Sequence, residues 1–265
     1  MKDGGLWQMR NEGIKKNQSL RKALLILEEM TKIESPFRLQ DLSVRLSMSP
    51  STVSRFLNTF IDFGYIRKEP STASYYLTLK LAGLGAHTRA NFPFQQILTK
   101  YIREISKHFN ETASLCVEND MQMVYIATEE SQRHILKNLK RIGHVAPIHA
   151  TGVGKCHLLN YSEAKLYELV EKKGLPRLTD HTIVSIEDLR KEIENVKQQG
   201  YALDNEECEL GVRCVAVPIR DYTGTVVAAV SVSASVIDLD KKRTDEIIQY
   251  MLDIKKRASS EMGWE

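Results

Sequence analysis

Ser51, Thr52, Ser54, Arg55, Asn58 and Thr59 fall on one side of the segment Ser47 to Phe63 when it is wound as a helix. They are short hydrogen-bonding groups with one long cation and almost no acid among them. Such a set suits base edges and phosphate oxygens, because it bonds to them without repelling anions. The other side carries Val53, Phe56, Leu57, Phe60 and Ile61 at the i, i+3, i+4, i+7, i+8 spacing of one apolar helix face. Ser49 is a suitable N-cap, and Pro50 suits the first helical position, where no backbone donor is needed. The spacing therefore predicts an amphipathic helix shaped to read a DNA major groove.

The elements that must hold this helix lie on either side of it. Upstream, Leu20, Ala23, Leu24, Leu27 and Met30 predict a first helix capped at or near Ser19. Ser35-Pro36 breaks it, since proline removes a donor and disfavours helix in the residue before it. Leu39, Leu42, Val44 and Leu46 predict a short second helix, joined by Ser47-Met48-Ser49 to the third, which gives a helix-turn-helix. Downstream, Gly64 ends the reading helix. Strands at Tyr65 to Lys68 and Tyr75 to Leu79 flank a polar loop, the wing of a winged helix. On the wing, Arg67 and Lys68 can meet phosphate, and Ser71, Thr72 and Ser74 can donate to it. Residues 14–80 hold eleven Lys and Arg against six acids, while residues 81–265 are net negative. The basic excess is confined to the part expected on DNA.

At 265 residues, 42% hydrophobic and 27% charged, the chain has the composition of a soluble globular protein with two domains. No apolar run approaches the roughly 18 residues of a membrane span, and no signal-peptide core is present, so no membrane and a cytoplasmic location are expected. Cys116, Cys156, Cys208 and Cys214 form no CxxC pair, so reduced thiols are expected. Expected boundaries are a flexible leader over 1–18, the winged helix over 19–79, a linker helix over 80–92 and a second domain over 93–265.

In that second domain, Ile97, Leu98, Tyr101, Ile102, Ile105 and Phe109 predict a helix starting at Pro93. Ala113 to Val117 and Met121 to Ile126 predict a β-hairpin turning at Glu118-Asn119-Asp120. Further strands are expected at 135–139, 143–146, 201–204, 214–220 and 225–233. Helices are expected at 155–159, 163–170, 186–199 and about 240–260. Helices flanking a mostly antiparallel sheet make an α+β fold.

Three blocks resemble the isocitrate-lyase-regulator (IclR) family of bacterial transcription factors. They are Ser51 to Leu57, His149-Ala150-Thr151-Gly152-Val153-Gly154-Lys155, and Glu206 to Ile219 followed by Val230-Ser231-Val232-Ser233. The resemblance runs from about Ser19 to Ser260. Thr78, where the family often has Gly, and Val217, where a smaller residue is common, depart from the pattern. The resemblance implies a C-terminal GAF- or PAS-like sensor domain that binds a small carboxylate or aromatic acid. It places Gly152, Val153, Asp204, Cys214, Ser231 and Ser233 at the effector.

The residue chemistry agrees with that placement. Ser231 and Ser233 lie two apart on a strand and share a face. Gly152 lets main chain approach a ligand closely, and N–H groups at a helix start favour an anion. Asp204 could accept from a ligand hydroxyl or hold Arg213. The structural alternatives are serines satisfied by backbone and Cys214 as a small core residue. Gly152-Val153-Gly154-Lys155 fails as a phosphate loop, with His149 where Gly is needed and Cys156 where Ser or Thr is needed. His149, Asp204, Cys208 and Cys214 are metal-ligand types, but their spacing matches no short finger pattern, so no metal or other cofactor is expected. No nucleophile elbow surrounds either cysteine.

The expected function is a DNA-binding regulator, more often a repressor in this family, gated by a small organic acid and binding operator DNA as a homodimer or a dimer of dimers. One winged helix touches few base pairs, and paired half-sites supply specificity. The alternative is an enzyme acting on a small carboxylic acid with an accessory DNA-binding segment.

Overall fold

A computed structural model describes residues 17–33, 36–89, 94–130 and 142–264. The chain divides into two units, Met1–Asn91 and Phe92–Glu265.

The first unit contains helices α1 (Gln18–Lys32), α2 (Leu39–Leu46) and α3 (Pro50–Asp62), then strands β1 (Ile66–Lys68) and β2 (Tyr75–Leu77), then helix α4 (Lys80–Arg89). Asn17, close to the expected Ser19, caps α1: its side chain accepts the Leu20 N–H at 3.0 Å, and the helix begins at Gln18. The apolar stripe of α1 is also rotated from the expected one. Ile26 and Met30 are buried, whereas Leu20 and Leu24 remain 59% and 52% exposed. In α2, Leu42 is buried but Val44 is 78% exposed, because only one side of so short a helix can face α1 and α3. Ser47 adopts a left-handed backbone (φ 50°) that makes the turn into α3 tight.

Val53 and Leu57 bury α3 against Ile26, Met30, Phe37 and Leu42. The β1–β2 wing pairs Ile66 with Leu77 and Lys68 with Tyr75. Phe37 adds a short rung, donating to and accepting from Tyr75 at 3.3 and 2.9 Å. Thr78, the departure after the wing, is put to use: its hydroxyl donates to the Gly64 carbonyl at 2.7 Å.

The second unit is a six-stranded antiparallel sheet with helices on both faces. Its elements are α5 (Phe94–Phe109), β3 (Thr112–Asn119), β4 (Gln122–Glu129), β5 (Val145–Pro147), α6 (Gly152–His157), α7 (Glu163–Lys173), α8 (Ile186–Gln199), β6 (Ala202–Asn205), β7 (Val212–Arg220), β8 (Val226–Ser235) and α9 (Lys241–Glu261). The strand order is β5-β4-β3-β8-β7-β6. Leu115, Val215, Val217, Val230 and Val232 face one way, onto Ile102 of α5 and Met251 of α9. Val217 is wholly buried there. The alternate residues, among them Cys116, Ala216 and Ala229, face α6, α7 and α8.

The β3–β4 hairpin turns at Asp120-Met121 rather than at Glu118-Asn119-Asp120, with φ of 50° and 60° and Asn119 paired to Gln122. Two positive φ values match strand twist in a two-residue turn. Glu118 steadies it by accepting the Met121 N–H at 2.8 Å. Helix α6 begins at Gly152, three residues before the expected Lys155. The strand expected at 135–139 lies outside the described residues.

Candidate functional site

The reading helix presents Ser49, Ser51, Arg55, Asn58 and Thr59 as exposed groups, with Thr52 and Ser54 half-buried among them. Ser49 caps α3 by accepting the Thr52 N–H at 3.3 Å, and its hydroxyl lies 3.1 Å from Ser51 Oγ and 2.8 Å from Thr52 Oγ1. These three hydroxyls form one cluster at the helix start. Ser54, Arg55 and Asn58 continue the same face, with Arg55 and Asn58 exposed. Arg55 lies 5.8 Å from the Phe56 ring centroid and makes no ion pair among the described residues. Its guanidinium is therefore available to an incoming anion.

The wing is less free than its composition suggests. Arg67 lies 3.5 Å from Glu69, and Ser71 donates to the same carboxylate at 3.3 Å. Lys68 sits over Tyr75. Thr72 is exposed, but Ser74 is buried and its hydroxyl turns inward to the Thr72 carbonyl at 3.5 Å. Ser74 is thus a loop-forming residue rather than a phosphate donor, because a buried hydroxyl must satisfy itself locally.

In the second unit, the sheet register brings small polar side chains into two rows. Thr112, Ser233, Cys214 and Asp204 are consecutive partners across β3, β8, β7 and β6. The next row runs Thr128, Ser114, Ser231, Ala216, Ala202. Residues opposite one another in a ladder share a face, and the Cys214 thiol donates to Ser233 Oγ at 3.1 Å. The face is the one α6 covers: a Cβ on Gly152 would stand 3.1 Å from the Ala216 Cβ and 3.6 Å from the Asp204 nitrogen. Gly152, Val153, Asp204, Cys214, Ser231 and Ser233 therefore surround a single region between α6 and the sheet. Thr112 and Ser114, which sequence reasoning passed over, belong to the same rows and are buried. The signal available was alternation along Thr112-Ala113-Ser114, which is uninformative until the pairing with β8 is known.

Helix α6 is held close by an exacting backbone. Thr151 caps it, accepting the Gly154 N–H at 3.2 Å and donating to the Pro147 carbonyl at 3.0 Å. A Cβ at Gly154 would overlap the Ile148 carbonyl oxygen at 2.0 Å, so glycine is required.

Asp204 does not hold Arg213. Its Oδ1 accepts the N–H groups of Glu207 and Cys208 at 2.9 and 3.3 Å, while Arg213 bonds to Asn205 and the Leu239 carbonyl. Burial is the largest influence on Asp204 and lifts its carboxyl to about 6. His149 is buried, with Nε2 3.1 Å from the Pro176 carbonyl, and burial lowers its pKa, so it stays neutral and donates there. Among the described residues no group of three His, Cys, Asp or Glu is arranged to hold a metal ion.

Comparison with known proteins identifies both units. The model of the IclR helix-turn-helix domain matches residues 19–70. That of the bacterial transcriptional regulator IclR C-terminal domain matches residues 87–260. The transcriptional regulator KdgR of Dickeya chrysanthemi is 36% identical over 87% of this chain and 75% of its own. KdgR of Escherichia coli is 34% identical over 87% of this chain and 88% of its own. Among solved structures, the IclR of Thermotoga maritima superposes with a TM-score of 0.78 at 27% identity, covering 93% of this chain and 99% of that one. An IclR homologue from Microbacterium hydrocarbonoxydans, solved with 4-hydroxybenzoate, shares the fold at a TM-score of 0.72 and 21% identity, covering 91% of this chain and 99% of that one. The relatives are transcriptional regulators and not enzymes, which removes the enzymatic alternative. With both of its units matched by the family's own models, the chain belongs to the IclR family of DNA-binding transcriptional regulators.

Proposed function

We propose that the chain is a cytoplasmic repressor of a catabolic operon, gated by a small organic acid bound between α6 and the polar rows of the sheet. The observation that carries this reading is the convergence of Asp204, Cys214, Ser231 and Ser233 under Gly152 and Val153. Small hydroxyls offer both donors and acceptors, and Asp204 offers an acceptor for ligand hydroxyls. The N–H groups of Gly152 and Val153 at the start of α6 have no intrahelical acceptor and suit a carboxylate. The covered, polar-lined arrangement supports the reading of this unit as a GAF-like sensor. The name of the Escherichia coli repressor AllR, 26% identical over 93% of this chain, supports the sign of regulation.

On DNA, Ser49, Ser51, Thr52, Ser54, Arg55 and Asn58 read the major groove, while Arg67, Lys68, Ser71 and Thr72 meet the backbone. The working form is a homodimer, with pairing into tetramers as a further step. Apolar side chains left exposed on the first unit, Leu20, Leu24, Leu79 at 88% and Leu84, support a second copy there. Effector binding shifts the population between DNA-competent and DNA-incompetent arrangements through α4. In the described residues no helix is long and apolar enough to cross a membrane. A thermal-shift screen of the purified chain against small carboxylic and aromatic acids tests the reading. A ligand of the chamber raises Tm with its concentration, and a chain indifferent to all such acids contradicts it.

A further inference from the structure

Lys155 lies three residues into α6 from Gly152, and its side chain is only 1% exposed. A lysine so deeply buried must be paired. Its ammonium meets Glu207 Oε1 at 2.7 Å and Glu192 Oε1, on α8, at 2.9 Å. Burial opposes the charge, but the two carboxylates outweigh it and hold the lysine above its ordinary pKa. Lys155 therefore joins three separate pieces: the helix over the chamber, the turn after β6, and α8.

That turn is the one that grips Asp204. The N–H groups of Glu207 and Cys208 both converge on Asp204 Oδ1. The turn is not at rest by itself, since Glu206 takes a left-handed backbone with φ of 61°. A non-glycine residue there is strained and persists when its surroundings impose it. Glu206 is held within its loop, where its N–H donates to the Val212 carbonyl and its side chain accepts the Gly211 N–H, and further contacts reach in from outside. Thr179 donates to the Glu206 carbonyl at 2.6 Å, Thr182 to the Glu207 carbonyl at 2.7 Å, and Lys155 holds the Glu207 side chain. Glu207 Oε2 is buried without a partner among the described residues, so the carboxylate is held inside through its contacts with Lys155 and with the Asn205 backbone N–H.

We propose that Lys155 is a positioning residue of the effector chamber: by holding Glu207 it fixes the turn whose amides orient Asp204 on the polar row. The inference rests on the chamber reading only for its functional consequence. It ties the two walls of the chamber, α6 and the end of β6, into one unit, so an effector that touches either wall is read by both.

The test needs no effector, so its failure and the failure of the chamber reading are distinguishable. Amide exchange in the full chain compares Lys155→Met, which cuts the tie from α6, with Glu207→Ala, which cuts it from the turn and leaves Lys155 paired to Glu192. Each should speed exchange at positions 207 and 208 by about tenfold or more while Val230 and Val232 keep their protection. Glu207→Gln, which still accepts from Lys155, should keep the slow exchange. A charge-specific readout accompanies this, the titration of the Asp204 carboxyl by carbon-13 NMR. Lys155→Met should raise its pKa, and Glu207→Gln should lower it. Unchanged exchange at 207 and 208 in the cut variants, or shifts of Asp204 in the same direction in both titrations, overturns the proposal. If Lys155→Met does not fold, the contrast in exchange between Glu207→Ala and Glu207→Gln decides: fast in the first and slow in the second supports the tie, and equal rates overturn it.

Discussion

The Lys80 ammonium lies 2.6 Å from the carbonyl oxygen of Phe63, tying the first turn of α4 to the residue that ends the reading helix. Thr78 makes a parallel tie to Gly64, and Lys80 also sits 4.7 Å from the Tyr65 ring centroid. A cation at a helix C-terminus offsets its exposed carbonyls. These contacts join the start of α4 to the end of α3. Lys80→Ala should cost the first unit about 0.5–1 kcal/mol. Amide exchange over residues 50–62 should quicken while the β8 amides are unaffected.

Arg55 carries the longest reach of the reading face and no competing acid. Arg55→Ala should weaken operator binding by about 1–3 kcal/mol if it reads a base edge, whereas a phosphate contact would instead lower the salt slope by about one. Arg55→Lys separates the two, since lysine keeps the charge but not the planar fork. Unchanged affinity across a salt titration of Arg55→Ala removes the residue from the interface.

Ser231 and Ser233 stand on the α6 side of β8, with Val230 and Val232 on the other. Replacing both serines with valine should abolish the response to effector and leave operator affinity within about twofold, since typical coupling energies of about 1–3 kcal/mol are carried by such differential contacts. Loss of DNA binding together with the response would make them packing residues.

Acid stability divides between two buried groups that act oppositely. Burial holds His157 down at about 4, so its stabilising contribution is present above the ordinary histidine range and is lost as pH falls toward 4. Burial lifts Asp204 to about 6, so its protonation adds stability as pH falls from about 6 toward 4. Each displacement is worth on the order of 3 kcal/mol. Asp204→Asn removes the compensating gain, and its Tm should fall more steeply than that of the parent chain between pH 6 and pH 4. Parallel pH profiles would refute this.

Gly154→Ala should prevent accumulation of folded protein, because the new methyl would collide with the Ile148 carbonyl, which is backbone and cannot move aside. Gly152→Ala meets the Ala216 methyl at 3.1 Å and main-chain atoms of Ala202 and Asp204 only at ordinary contact distances of 3.5 and 3.6 Å, and should fold with a slight shift of α6 from the sheet. Soluble yield and circular dichroism of the two variants check the contrast.

These glycines show how far the sequence could be read. Apolar spacing located α3, α5, α8 and α9 because each buries one continuous stripe, and Ser49-Pro50 marked the start of α3 by cap chemistry alone. It located α1 but drew its stripe through Leu20 and Leu24, since contact with α2 and α3 is what selects Ile26 beside the expected Met30. That Ser231 and Ser233 share one face was legible through alternation. Ser114 and Thr112 were not, since their face is decided by pairing with a strand more than a hundred residues away. The Lys155 network was hidden for the same reason: nothing local joins residues 155, 192 and 207.

If the chain works as proposed, DNA binding by the first unit answers to an acid held in the second. Binding of the purified chain to DNA upstream of its own and neighbouring genes, with and without a panel of small carboxylic and aromatic acids, measures this without intermediaries. The expected result is a specific complex at moderate salt whose affinity one acid changes about 5- to 150-fold. A specific complex indifferent to every acid, or no specific complex at all, would contradict it.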